Sequence, residues 1–166
     1  MRFVRIALLA AAALGVASAQ TKVGIVNSQK AIVDTAELKK AQLEMEAKYK
    51  PRVDQMNQIQ KDLSTLQGQL QSGKLNPQQS QEAQAQGQRK ERDLQRIQQD
   101  MQEEQDRDRN EILGRIMGRM RDVISKLAEA KGLDVVVDSS NTFYFKPALD
   151  LTAEATAAYD KAYPAK

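Results

Sequence analysis

The side chains most often used for chemistry are missing. The chain has 166 residues, with no His, no Cys and no Trp. Without His it lacks the commonest general base and metal ligand. Without Cys it has neither a thiolate nucleophile nor a disulfide. Carboxylates, amines and hydroxyls remain, and they form no convergent catalytic set in the sequence. Asp134 and Asp138 lie close enough to suggest a carboxylate pair, but they flank a short apolar run, where a turn or capping role is the plainer reading. There is no glycine loop of the phosphate-binding kind. No enzyme activity, metal or cofactor is expected.

The residues that remain suggestive are those able to make surfaces. Met45, Tyr49, Met56 and Ile59, with Leu94, Ile97 and Met101, fall at helical spacing and are candidate contacts for a bound client protein. The alternative is that they form the seam between two helices of this chain. Arg89-Lys-Glu-Arg92 could meet an anionic lipid, or be an ordinary solvated helix face. Gly114-Arg-Ile-Met-Gly118 has the spacing of membrane helix dimers, but Arg115, Arg119 and Arg121 exclude a span, so close helix packing is expected. Gln102–Glu111 holds no apolar residue, and reads either as a hinge or as a solvated stretch of acid–base pairs.

Long helices must position these residues. Tyr49, Met56, Leu63 and Leu70 recur every seven residues, and Leu38, Met45, Ile59 and Leu66 form a second line. The pattern predicts a helix over 37–70, bent but not ended by Pro51. Gly73 breaks it, and Asn76-Pro77 restarts a helix as cap and first position. The second helix runs to Lys131 and stops at Gly132. Gln78–Gln88 is rich in Gln and Ala. At the far end Ile112, Leu113, Ile116, Met117, Met120, Val123, Ile124 and Leu127 form a stripe too wide for one neighbour. The short turn folds the two helices back into an antiparallel hairpin.

The period shortens at both ends of the hairpin. Lys22–Asn27, Asp134–Asp138 and Thr142–Lys146 read as strands. Asp34-Thr-Ala-Glu37 resembles a capping box and predicts a kink there. A last short helix is expected over 153–161, capped by Asp150 or Thr152. The fold class is therefore α+β, with a coiled-coil arm (35–131, tip near 72–76) standing on a small antiparallel three-stranded sheet body (20–34 and 132–166). Val23, Ile25, Val135, Val137, Phe143 and Phe145, with Ile116, Met120, Val123 and Leu127, are expected to form the body core and an oligomer contact. A sheet this small needs a partner face.

At the start of the chain Arg2 and Arg5 precede an apolar run, Ile6–Val16, and then Ala17-Ser-Ala19. This is the layout of a secretory signal cut after Ala19. The run is about eleven residues, short of the roughly twenty that span a bilayer. The expected mature chain, 20–166, is a single soluble domain. The full chain carries a net charge of +3, and loss of Arg2 and Arg5 leaves +1. Such a balance gives no general attraction to nucleic acid.

The order of these segments resembles the Skp or OmpH-like family of periplasmic chaperones. The resemblance rests on Lys22-Val-Gly-Ile-Val-Asn27, the Gln- and Lys-rich hairpin, Leu133-Asp-Val-Val-Val-Asp138, Phe143-Tyr-Phe145 and Asp150-Leu-Thr-Ala-Glu154. It implies a homotrimer in which strands of three chains complete a β-barrel and helical arms enclose a cavity. It also implies an ATP-independent holdase for unfolded outer-membrane β-barrel proteins in the periplasm. Membrane-surface or lipopolysaccharide contact is suggested for some relatives; those are strongly basic, whereas this chain is near balance, and no basic motif here maps onto such a site. A structural coiled-coil spacer or adaptor of the envelope is the alternative function.

Overall fold

A computed structural model describes residues 21–165 of the chain. The expected signal segment, 1–19, lies outside the described residues. The elements in order are β1 (Val23–Val26), α1 (Ser28–Val33), α2 (Ala36–Gln71), α3 (Pro77–Lys131), β2 (Val135–Asp138), two single-turn 3-10 helices (Ser139–Asn141 and Pro147–Leu149) and α4 (Thr152–Ala162).

The arm is built as the heptads require. α2 continues through Pro51, whose missing N–H leaves the carbonyl one turn back without its helical partner. α3 begins with a complete capping box. The Asn76 side chain accepts from the Gln79 N–H at 2.8 Å, and the Gln79 side chain accepts from the Asn76 N–H at 3.1 Å. It ends at Gly132, whose left-handed φ of 60° suits glycine better than any other residue. Fifty-five residues at 1.5 Å each make α3 about 80 Å long.

The start of α2 differs in detail from the expected box. The cap is Thr35, not Asp34, and its Oγ1 accepts from the Leu38 N–H at 3.2 Å. Glu37 is drawn elsewhere. Two residues, Asp34 and Thr35, separate α1 from α2, so the expected kink is a full break.

The sheet corrects two expectations. It has two strands, and they run parallel, with Val23 opposite Val135 and Val26 opposite Asp138. The hairpin reverses the chain once. For the strands to be parallel, one junction between arm and sheet must reverse it again, and both junctions carry a break, at Asp34–Thr35 and at Gly132. The whole arm thus serves as the crossover that any parallel pair needs. Thr142–Lys146 is not a strand; it crosses between the two 3-10 turns. The free edge of β1 is met instead by Asp150–Leu151, through a bridge from Ile25 to Asp150 and a 2.8 Å bond from the Leu151 N–H to the Ile25 carbonyl. This approach is close. A Cβ on Gly24 would stand 2.7 Å from Leu151 Cδ1 and 2.8 Å from Leu133 Cδ1, so only glycine fits without movement.

The core gathers where arm meets sheet. Val26, Ala31, Ile32, Leu38, Ile116, Met120 and Val123 pack with Leu151, Ala155 and Tyr159 of the C-terminal segment. The wide stripe of α3 is thus covered by α1 and α4 of the same chain. Leu151, Ala155 and Tyr159 recur every four residues and form the buried face of α4.

Candidate functional site

Three surfaces make up the candidate site: the root of the arm, its middle and its tip. At the root one carboxylate ties three helices together. Glu37 of α2 accepts from Tyr159 Oη of α4 at 2.5 Å, from Arg115 Nε at 3.0 Å and from Arg119 Nη1 at 2.9 Å. Arg119 also lies 4.7 Å above the ring of Tyr163. Burial pushes the Tyr159 hydroxyl up to about 12, and its bond to Glu37 adds to this. Burial alone would raise Glu37, but the three donors outweigh it and hold the carboxyl below its ordinary value. Asp160 completes the clasp by accepting from the Ala36 N–H at 2.9 Å.

The middle of the arm has a polar seam. The apolar residues of α3 stop at Met101 and resume at Ile112. Across that gap Tyr49 Oη donates to Asp108 at 2.8 Å, Lys48 pairs with the same carboxylate, and Arg52 bonds Glu104 at 3.0 Å. Lys48 first and Tyr49 second hold Asp108 below the usual carboxylate range, and Arg52 does the same for Glu104. Further out, Lys90 reaches Asp62 at 2.6 Å. The Gln102–Glu111 stretch therefore supplies seam partners, not only solvated charge. Lys90 of the basic cluster is spent on the hairpin. Four-residue spacing, Lys48 to Arg52 and Glu104 to Asp108, was the available signal for these pairs.

The proposed client contacts sit on this same seam. Tyr49 is buried, and Met45, Met56, Ile59, Leu94, Ile97 and Met101 are half-buried between the helices. Each keeps part of its surface open to solvent. The body residues divide. Ile25, Ile116, Met120 and Val123 are buried, and Val23, Val137, Phe145 and Leu127 half-buried. Val135 is 42% exposed, and Phe143 is fully exposed beside Tyr144. Within one chain Phe143 and Val135 are therefore surface residues and not core. Asp138 is a cap, as its position suggested. It accepts from the backbone N–H and hydroxyl of Ser28 and from the Ser140 N–H, and these bonds, Ser28 foremost, draw its carboxyl down to about 2. Asp134 accepts from the Lys22 N–H at 2.7 Å.

Two clefts remain open at the root. One, of about 650 Å³, lies between α1–α2 and α3, lined by Ile32, Val33, Leu38, Met45, Leu113 and Met117. The other, of about 450 Å³, lies between α3 and β2, with Met120, Ile124, Leu133 and Val135 among its walls. Met117, 53% exposed, stands at the rim of both. Among the described residues nothing lies within 4 Å of a Cβ added at Gly114 or Gly118, so the close helix packing expected there is not met by them. Sequence reasoning read Glu37 only as a capping residue and did not single out Tyr159; the four-residue recurrence of Leu151, Ala155 and Tyr159 was the available signal. Among the described residues there is no group of three side chains able to hold a metal ion, and no helix long and apolar enough to cross a membrane.

Comparison with known proteins adds three findings. The chaperone protein Skp of Yersinia enterocolitica is 28% identical over 158 residues, covering 88% of this chain and 94% of that protein. A crystal structure of a candidate OmpH-like outer membrane chaperone from Caulobacter crescentus CB15 aligns with a TM-score of 0.74 at 19% identity, over 88% of each chain, which is a likeness of fold. The family model for outer membrane proteins of OmpH-like type matches residues 22–159, a span that takes in both strands and the entire helical hairpin. The chain belongs to the OmpH-like family.

Proposed function

We propose that this protein is an ATP-independent holdase chaperone that encloses unfolded outer-membrane β-barrel proteins in the periplasm and keeps them from aggregating. The observation that carries this reading is the unfilled apolar surface at the root of a long arm. Val33, Met117 and Val135 are exposed beside two open clefts, and Phe143 and Tyr144 are exposed elsewhere on the base, the kind of apolar exposure that marks an interaction site. The aromatic residues lie away from the clefts, so one face offers side chains and another offers room for them. An interface between unlike faces forms a ring when its rotation closes, and a homotrimer is the ring we propose. Three arms on one base would then surround a cavity. Weak contacts spread along the arms would add up to useful affinity through multiple attachment. Export to the periplasm would be directed by the segment before Gln20, with cleavage after Ala19 accompanying it.

The likeness to a chaperone from Yersinia supports the client class. The test is direct. The mature chain should have the mass of a trimer by light scattering. It should also suppress the scattering of a urea-unfolded β-barrel protein on dilution, with no nucleotide present. A monomer, or undiminished scattering, would overturn the proposal.

One observation favours a second reading. The cross-helix bonds of Tyr49, Arg52 and Lys90 close the hairpin on itself, as a fixed spacer or adaptor would need. Binding to one folded partner and to no unfolded protein would favour that reading.

A further inference from the structure

The outermost part of the arm differs from the rest in having almost no charge. Between Leu63 and Gln88 the only ionisable side chains are Lys74 and Glu82. Their charges cancel, and Glu82 is already bonded by Gln78. Nine glutamines occupy the same span. Gln79 is used in the cap of α3. Among the described residues, the side chains of Gln67, Gln84 and Gln88 have no hydrogen-bond partner within the chain, and all three are exposed.

Those three amides, with the carboxylate of Glu91 at the end nearer the middle of the arm, border a shallow cleft of about 350 Å³. Its floor is apolar: Leu63, Leu66 and Leu70 from α2, with Ala83 and Gly87 from α3. Gly87 has open space where a side chain would stand. The cleft thus has an apolar floor and a rim made mostly of neutral amides, on both helices, with one carboxylate at its end. A glutamine amide carries the same donors and acceptor as a peptide group, without a charge.

We propose that this tip cleft binds an extended, uncharged segment of an unfolded β-barrel protein, side chains to the floor and backbone to the glutamine rim. The proposal rests on the holdase reading above and names a subsite for it. In an extended chain alternate side chains point the same way, leaving the peptide groups at the edges free to pair. Strands of membrane barrels alternate apolar and polar residues over about ten positions, which fits an apolar floor between polar rims. An acidic polymer finds no opposite charge in the lining, and a basic one finds a single carboxylate, Glu91, at one end. A polysaccharide would have no alternating apolar side chains to offer the leucines.

The test uses the assembled full mature chain and a fluorescent ten-residue peptide of alternating apolar and polar residues with no charge, followed by anisotropy. Two variants address rim and floor. Gln67→Ala/Gln84→Ala/Gln88→Ala removes the amides, and Gly87→Leu fills the cleft. Ala and Leu favour helix more than the residues they replace, so the arm is retained; circular dichroism and mass serve as the check. The rim variant is expected to weaken binding about tenfold, as loss of two or three neutral hydrogen bonds would, and the floor variant by at least about fivefold. Binding to the original chain should change less than about twofold between 0.05 and 0.5 M salt. No binding of the peptide, equal binding by both variants, a steep loss with salt, or displacement by soluble dextran would each overturn the subsite. Failure of the original chain to hold a full-length unfolded β-barrel protein would instead overturn the holdase reading.

Discussion

Replacing Tyr159 with Phe tests whether the root of the arm is clasped by one hydroxyl. Tyr159 is fully buried and donates to Glu37 at 2.5 Å. The change removes that bond and keeps the ring, so packing against the core is retained. A hydrogen bond to a charged group contributes about 1.5–3 kcal/mol. Glu37 still accepts from Arg115 and Arg119 and is not orphaned, which sets the expected loss near the lower end, about 2 kcal/mol. For a chain of this length that is a fall in Tm of roughly 4–8 °C. Urea unfolding at one fixed protein concentration is the assay, because assembly would make stability depend on concentration. The chain with Glu37→Gln, and the double variant, complete a thermodynamic cycle. Coupling of about 1 kcal/mol or more is expected, since the two groups touch. A loss below about 0.5 kcal/mol for Tyr159→Phe, or additive effects, would refute the clasp.

Three further outcomes follow from particular contacts. Gly24→Ala should cost about 1–3 kcal/mol in urea unfolding, because its Cβ would meet two leucine methyl groups below 3 Å, and these must shift. Asp138 has its folded-state carboxyl lowered to about 2 from 3.8. The stability this gives is present above pH 4 and is lost as pH falls from about 4 toward 2. Solvent screening reduces it to about 1 kcal/mol, and Asp138→Asn should flatten that part of a pH–stability profile. In the middle of the arm the seam is charged. Raising salt from 0.05 to 1 M should therefore speed amide exchange over 48–54 and 102–110 more than over the apolar 59–70 segment, read by hydrogen-exchange mass spectrometry.

The parts of the fold with local causes were legible in the sequence. Asn76-Pro77 and Gly132 bound α3 because cap chemistry acts over three or four residues, and the seven-residue recurrence of Tyr49, Met56, Leu63 and Leu70 marks the seam whatever lies around it. Parallel pairing of β1 and β2 was not legible, since strand direction depends on how the chain turns at Asp34–Thr35 and Gly132, which no period encodes. Phe143-Tyr-Phe145 alternates like a strand yet pairs with no strand among the described residues, and β1 takes Asp150–Leu151 at its edge instead. At the candidate site, the helical spacing of Met45, Met56, Ile59 and Leu94 places them half-buried along the arm, and their contact with a client is a proposal. The bonds of Glu37 to Tyr159 and of Asp108 to Tyr49 join residues far apart in sequence, where only the folded arrangement brings the partners together.

The pairing of β1 with β2 also sets an order of events in time. Val23 and Val135 are joined across the whole arm, and the backbone N–H of Lys22 waits for a carboxylate 112 residues further on. The hairpin can zip from its own turn by short-range contacts, which form fast, whereas the sheet must close one very long loop. The arm is therefore expected to form ahead of the base. Until the base closes, Val23, Ile25 and the apolar root of α3 would be open to the same aggregation that their final burial prevents.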